Sequence, residues 1–187
     1  MKVFVDYDST LVDFLDKWIS YINDTEGTNI SIDDVTYWDY FRDLKVNAKK
    51  YFIKKVPYSS GKYCATPLDG AVEFFKTVNS LYDATILTIT RDEVNKELKN
   101  QHIYKHFNTS KTIHESHKVK YATDENGKPN VLIDDKLETC LSWVANGGVA
   151  ILFNHNNRYK YNTYKVGFKD LFYVSNYDEI LPILQIM

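Results

Sequence analysis

The sequence predicts an α/β fold, with a Rossmann-like parallel sheet and a small helical cap inserted after the first strand. Short apolar runs recur along the 187 residues, helical patterns lie between them, and acidic or hydroxyl side chains follow several of the runs. Short runs that are apolar on both faces are typical of buried parallel strands. Their alternation with helices is typical of βαβ units, so an α/β fold is expected.

The predicted elements alternate along the chain. The strands are residues 2–5, 84–87, 111–113, 130–133, 149–153 and 171–175. Three apolar stripes at helical spacing predict helices: Leu11, Leu15, Trp18, Ile19 and Ile22; Val72, Phe75, Val78 and Leu81; and Leu137, Leu141 and Val144. Glycine follows the first and third stripes, as is common at the ends of helices.

The long segment between the first two strands predicts the cap. Ser31 resembles a helix N-cap, residues 35–56 have a helical composition, and residues 57–67 are rich in turn formers. This is too much chain for a simple crossover. We therefore expect a core formed by residues 1–14 and 66–187, with a helical cap formed by residues 15–65.

Composition excludes several classes of protein. Hydrophobic residues make up 44% of the chain and the net charge is −2, so no global basic field is available to hold an extended nucleic acid. No apolar run approaches the ~20 residues that cross a bilayer, and the first residues do not resemble a signal peptide. We expect a cytoplasmic protein with no membrane partner. The oligomeric state stays open, a homodimer included.

Residues with useful chemistry follow the predicted strands. They are Asp6 and Asp8 after the first, Thr88 after the second, Lys118 and Lys120 after the third, and Asp134 and Asp135 at the end of the fourth. Ligands of parallel α/β sheets bind at the carboxyl ends of the strands. Several carboxylates at one edge require a divalent cation, and oxygen ligands favour Mg²⁺.

Mg²⁺ and lysine together favour a phosphate between them. One aspartate could then attack phosphorus while another transfers a proton, and the threonine and lysine could hold the phosphoryl oxygens. Each of these patterns alone is weak, because an Asp-x-Asp after a strand is more often a turn or a helix cap. Their joint occurrence at the ends of strands is what indicates a functional acid site.

Four stretches carry a family resemblance: DYDSTLVDF, ILT, SHKVKYA and VLIDD. They resemble the signature motifs of the haloacid dehalogenase superfamily of phosphohydrolases, and most closely those of the 5'(3')-deoxyribonucleotidase branch. The resemblance implies that Asp6 is the nucleophile and Asp8 the general acid and base. It also implies that Thr88 holds the phosphate and Lys118 neutralises it, with Mg²⁺ bound by Asp6, the Asp8 carbonyl, Asp134 and Asp135.

The resemblance also bears on the substrate. Phe14 matches a residue that stacks on the base in that branch, and Ser9 stands where the family usually has glycine. Tyr37, Trp38 and Phe41 are further candidates for stacking on a base, although most cap aromatic residues are expected to pack the cap's own core. Ile89, beside Thr88, is a candidate for substrate contact. Lys120 competes with Lys118 because the sequence does not fix the length of the loop.

The sequence therefore predicts a Mg²⁺-dependent phosphomonoesterase that acts on nucleoside monophosphates through an aspartyl-phosphate. Two alternatives remain: a phosphatase acting on polynucleotide ends, with the cap lysines gripping the strand, and a catalytically silent nucleotide-binding protein. The pair formed by Asp6 and Asp8 argues against the silent protein, since a binder has no need of an acid/base pair. A receiver domain is also disfavoured. In receiver domains an acid pair comes early and the phosphoacceptor aspartate stands alone on a middle strand, whereas this chain has Asp-x-Asp first and Asp-Asp late.

Overall fold

A computed structural model describes residues 1–35, 58–59, 61–159 and 168–187. Within them, six parallel strands form one sheet in the order β3-β2-β1-β4-β5-β6. The strands are β1 (Val3–Val5), β2 (Thr85–Thr88), β3 (Thr112–His114), β4 (Val131–Asp134), β5 (Val149–Phe153) and β6 (Leu171–Val174). The Rossmann-like parallel sheet predicted from the sequence is confirmed.

Helices cover both faces of the sheet. They are α1 (Phe14–Glu26), α2 (Ala71–Tyr82), α3 (Glu93–Phe107), α4 (Leu137–Ala145) and α5 (Ile180–Gln185). Short 3₁₀ helices cover Ile32–Asp34, Lys118–Tyr121, His155–Asn157 and Tyr177–Glu179. In the described part of the chain, no helix is long and apolar enough to span a membrane.

Side chains of alternate strand residues pack into two separate hydrophobic cores, one on each face of the sheet. On one face, β1 and β4 contribute Val3, Val5 and Ile133 to a cluster that includes buried side chains of α1, α2, α3 and α5. On the other face, Phe4 and Leu132 pack against α4. Because neighbouring side chains of a strand point to opposite faces, β1 and the first three residues of β4 are apolar on both faces, as the sequence indicated.

The strand order reverses between β1 and β4. From β1 the chain moves outward to β2 and β3, returns to β4 beside β1, and then moves outward the other way to β5 and β6. Loops diverge where the order of a parallel sheet reverses, and the crevice that they leave is where such folds bind ligands. The carboxyl ends of β1 and β4 therefore define the place to look for a site.

The predicted strands agree with the observed ones to within one residue at most ends, but the helices differ more. In α2, two members of the predicted stripe, Phe75 and Val78, are buried. The other two, Val72 and Leu81, are exposed, and Ala71 and Phe74 are buried in their place. Helix α4 likewise buries Cys140 and Trp143 fully and its predicted stripe only in part. Helix α3 was not predicted at all.

The cap is described only at its ends. Ser31 begins the first 3₁₀ helix with the capping box that its sequence suggests. Helix α1, which the sequence assigns to the cap, packs its buried side chains into the same core as β1. The helical stretch expected in residues 35–56 falls almost entirely outside the described residues, so the division between core and cap stays a prediction.

Candidate active site

Three buried carboxylates meet at the point where the sheet reverses. Val5 pairs with Ile133, so Asp6, which follows β1, and Asp134, which ends β4, lie side by side. The Asp6 amide donates to the Ile133 carbonyl at 2.8 Å, which fixes this register. Asp6, Asp134 and Asp135 each offer a carboxylate oxygen, and the three oxygens lie within 4.8 Å of one another.

Lys118 holds two of these carboxylates together. Its Nζ donates to Asp6 Oδ1 and to Asp134 Oδ2, each at 2.6 Å, and the lysine is itself buried. Burial by itself would lower the pKa of Lys118, but the Asp134 and Asp6 carboxylates outweigh burial and hold that pKa well above its usual value. The lysine therefore stays charged and neutralises part of the cluster.

Burial makes the negative charge on Asp6 unfavourable. Burial raises the pKa of Asp6. Lys118 lowers that pKa, while the neighbouring carboxylates of Asp134 and Asp8 raise it further. One lysine against three buried carboxylates leaves excess negative charge in a region of low dielectric. Oxygen ligands with excess negative charge suit a hard divalent cation such as Mg²⁺, so the residues present fit the metal that the sequence predicts.

Asp8 lies beside this cluster and has its own partners. Its Oδ1 accepts a short hydrogen bond from the Tyr58 hydroxyl, and its Oδ2 accepts from Lys99 Nζ at 2.7 Å. Lys99 Nζ also donates to Thr88 Oγ1 at 2.9 Å and to the Ile89 carbonyl at 3.0 Å. Asp8 and Thr88 are therefore joined through a single buried lysine.

The loop that carries Asp6 and Asp8 turns tightly. Leu11 and Val12 both donate their amides to the Tyr7 carbonyl, and Ser9 adopts a φ of +59°. That left-handed conformation favours glycine. The family that the motifs resemble usually has glycine here, which agrees with the left-handed backbone. Ser9 adopts that conformation although it carries a side chain.

The predicted site residues divide into four groups. The structure brings together Asp6, Asp8, Thr88, Lys118, Asp134 and Asp135. Phe14 lies at the start of α1 with its ring 6.3 Å from that of Tyr58, and Ile89 is 47% exposed at the end of β2. Lys120 is exposed and pairs with Glu115 instead of joining the cluster. Tyr37, Trp38 and Phe41 lie outside the described residues.

Three contacts were missed at the level of sequence. Lys99 and Tyr58 hold Asp8, and Tyr159 donates to Asp135 Oδ2 at 3.4 Å. Lys99 carried one usable signal, because it lies on the face of α3 that also carries the buried His102 and Ile103. A lysine among buried positions usually has a charged partner. Tyr58 and Tyr159 carried no comparable signal in the sequence.

Comparisons with known proteins identify the fold. No family model matches the chain, and no curated protein matches it significantly. Solved structures do match. A predicted phosphatase from Clostridium acetobutylicum has a TM-score of 0.63 at 14% identity, covering 100% of this chain and 98% of the other.

Two further structures contain ligands. A HAD family hydrolase from Deinococcus radiodurans with bound phosphate and sodium has a TM-score of 0.60 at 11% identity, covering 98% and 94% of the two chains. A HAD-hydrolase from Bacillus subtilis bound to magnesium has a TM-score of 0.59 at 13% identity, covering 98% of each chain. The protein therefore has the fold of the haloacid dehalogenase (HAD) hydrolases, the superfamily that its four motifs resemble.

Proposed function

We propose that the protein is a Mg²⁺-dependent phosphomonoesterase that hydrolyses nucleoside (deoxy)monophosphates through an aspartyl-phosphate on Asp6. One observation carries the proposal. A buried triad of Asp6, Asp134 and Asp135 is bridged by Lys118 at the reversal of the sheet, and Asp8 lies two residues from Asp6. Structures of the same fold have been solved with phosphate and with magnesium, which supports this chemistry.

In the first half of the reaction, a carboxylate oxygen of Asp6 attacks phosphorus as the bond to the ester oxygen breaks. Asp8 gives its proton to that departing oxygen. Thr88 and Lys118 donate hydrogen bonds to phosphoryl oxygens, whose charge is redistributed as the bond breaks. The products of this half are the free alcohol and phosphorylated Asp6.

In the second half, Asp8 takes a proton from water, and the water oxygen attacks phosphorus. The bond between phosphorus and Asp6 breaks, inorganic phosphate leaves, and both aspartates return to their starting protonation. The metal, held by Asp6, Asp134, Asp135 and the Asp8 carbonyl, would offset the negative charge of phosphate and carboxylates.

The nucleotide part of the proposal has separate support. The Tyr58 hydroxyl donates to Asp8, and the Phe14 ring lies 6.3 Å from the Tyr58 ring, so aromatic side chains adjoin the proposed proton donor. Aromatic faces stack on nucleobases at ~1–3 kcal/mol per base. Phe14 also stands where the deoxyribonucleotidase branch has its stacking residue, so a nucleoside is the ester group that we propose.

The experiment is a phosphate-release screen in the presence of Mg²⁺. The panel contains ribo- and deoxyribonucleoside 5'- and 3'-monophosphates, sugar phosphates, and oligonucleotides phosphorylated at either end. We expect the highest kcat/KM with a nucleoside monophosphate and loss of activity with EDTA. Preference for the oligonucleotides, with strong salt dependence, would instead favour a polynucleotide end phosphatase.

Asp6→Asn tests the nucleophile. We expect turnover to fall at least ~10³-fold, because an amide cannot form the covalent intermediate. In the wild type, acid quench during turnover of ³²P-labelled substrate should leave labelled protein, and the variant should remain unlabelled. Asp178→Asn, at an exposed position outside the carboxylate cluster, is the matched control. Full activity of Asp6→Asn would refute the proposed mechanism.

A further inference from the structure

Asp8 is held from two sides by residues to which the proposed reaction assigns no role. Tyr58 donates to one carboxylate oxygen, and Lys99 donates to the other at 2.7 Å. A carboxylate oxygen has two lone pairs, so each oxygen keeps a second position for a hydrogen bond. The side chain of Asp8 is 28% exposed, so part of the carboxyl group is open to a further partner.

Burying the ammonium group of Lys99 has a large desolvation cost. It is only 1% exposed, and an ammonium in that position is stable only when its hydrogens are paired. All three have acceptors, at Asp8 Oδ2, Thr88 Oγ1 and the Ile89 carbonyl. The Tyr58 ring lies over the ammonium at 4.9 Å, so the two donors also support each other.

Tyr58 keeps its hydroxyl hydrogen and donates it in a hydrogen bond to Asp8. Burial raises the pKa of its phenol well above the usual value, and the neighbouring Asp8 carboxylate raises it further. Its ring packs near those of Tyr7 and Phe14, which fixes the direction of the hydroxyl. The residue lies in the segment that returns from the predicted cap to the core.

We propose that Tyr58 and Lys99 are positioning residues that aim the Asp8 carboxyl at the leaving oxygen and stabilise the carboxylate that remains after the proton has gone. Lys99 also donates a hydrogen bond to the Thr88 hydroxyl, so it holds the proton donor and one phosphate-binding hydroxyl at a fixed distance from each other. Neither residue gains or loses a proton. The inference rests on the proposed function, because it assigns these residues to the proton transfer of that reaction.

The dependence on the leaving group provides the test. An alkoxide leaving group needs a proton, whereas nitrophenolate departs without one. Tyr58→Phe and Lys99→Met are compared with the wild type in kcat/KM for a nucleoside monophosphate and for p-nitrophenyl phosphate. This parameter reports the first half of the reaction and leaves out the second half, in which Asp8 acts on water whatever the ester. Because general acid catalysis contributes ~10²–10⁴-fold, we expect each variant to lose ~10–10²-fold on the nucleotide and less than ~3-fold on the nitrophenyl ester.

Matched controls are available on the same elements. Tyr63→Phe removes a hydroxyl that bonds at the surface from the same linker, and Lys96→Met removes a surface lysine from α3. Both should behave as the wild type on both esters. Asp8→Asn should show the same selective loss of kcat/KM, and adding Tyr58→Phe to it should lower kcat/KM no further, because residues that act as a unit are not additive.

Different outcomes separate the two proposals. Absence of phosphate release from every ester by the wild type would overturn the proposed function. An active wild type whose Tyr58→Phe variant loses equal activity on both esters, or none on either, would overturn the positioning role. Tyr58→Phe removes a single oxygen atom, so it decides the matter even where Lys99→Met unfolds the protein, which thermal unfolding would reveal.

Discussion

At the scale of residues, Lys118 is the position with the clearest consequence. It donates to both Asp6 and Asp134 at 2.6 Å and stays charged between them. Lys118→Met should lower kcat/KM for phosphate release by at least ~10²-fold, because a preorganised donor to developing charge contributes about that much. It should also weaken the clustering of the carboxylates, which steady-state kinetics over a range of Mg²⁺ concentrations would report as a changed metal requirement.

Lys120→Met is the control for that change. Lys120 lies two residues away, is exposed, and pairs with Glu115 at the surface. Exposed ion pairs contribute ~0–1 kcal/mol, so its loss should leave kcat/KM within about 3-fold. If the two variants lost activity equally, Lys118 would have no special place in the reaction.

The same two lysines mark the limit of sequence reasoning for single residues. Asp6, Asp134 and Thr88 could be predicted to converge, because each ends or follows a strand of a parallel sheet. Lys118 and Lys120 could not be ranked, because a 3₁₀ helix of four residues decides which of them points inward. The contact between Tyr58 and Asp8 joins residues 50 positions apart and follows no periodic pattern.

At the scale of elements, the junction between α4 and β5 is closely packed. A Cβ at Gly148 would lie 2.2 Å from Trp143 Nε1 and 2.9 Å from the Ala122 carbonyl oxygen. The tryptophan cannot move aside freely, because it is fully buried and its Nε1 donates to the Asn130 carbonyl at 3.1 Å. Gly148→Ala should therefore lower the free energy of unfolding by ~1–3 kcal/mol, as overpacking does.

Gly127→Ala separates this clash from the cost of the backbone conformation. Gly127 has a φ of +75°, and a Cβ added there would have no atom within 4 Å, so alanine meets only backbone strain of ~1 kcal/mol. Urea unfolding should rank Gly148→Ala as the less stable variant. The opposite order would mean that Trp143 yields at little cost.

Elements were predicted in proportion to the strength of their hydrophobic pattern. Strand β1 and the first three residues of β4 are uninterrupted apolar runs, so the boundaries of these central strands were nearly right. Helix α3 buries His102, Lys99 and Asn95 beside Ile103, so its buried face does not stand out as apolar. Helix α2 was predicted with Phe75 and Val78 correctly on its inward face. Val72 and Leu81 were wrongly included there, because Ala71 and Phe74 form a second apolar stripe that competes with theirs.

At the scale of the whole molecule, the reversal of strand order explains why distant residues meet. It places β1 beside β4, so Asp6 and Asp134 become neighbours although 127 residues lie between them. The alternation of strands and helices could predict a parallel sheet, but it did not state which strands are adjacent. The position of the site at a switch point thus became clear only from the strand order.

His102 forms hydrogen bonds to two segments near the site, one at Tyr7 and one at Ala65. Its Nε2 faces the Ala65 carbonyl at 2.9 Å, so that nitrogen carries the hydrogen, and Nδ1 accepts from the Tyr7 hydroxyl at 2.6 Å. The ring therefore links α3 to the loop that follows β1 and to the segment before α2. Burial lowers the pKa of His102 to about 4 from its usual 6.5, although the bond to Ala65 opposes this shift.

That shift makes the stability of the molecule depend on pH. Between pH 6.5 and about 4, the unfolded chain binds a proton at residue 102 that the folded protein does not, so the free energy of unfolding falls as the pH falls. The loss from this residue should reach on the order of 3 kcal/mol by pH 4, at ~1.4 kcal/mol per pH unit. Urea unfolding at several pH values should show a shallower fall for His102→Gln, which does not titrate, than for the wild type. His117→Gln, at an exposed position, should show the same slope of unfolding free energy against pH as the wild type. An equal slope in all three proteins would show that His102 does not cause the pH dependence.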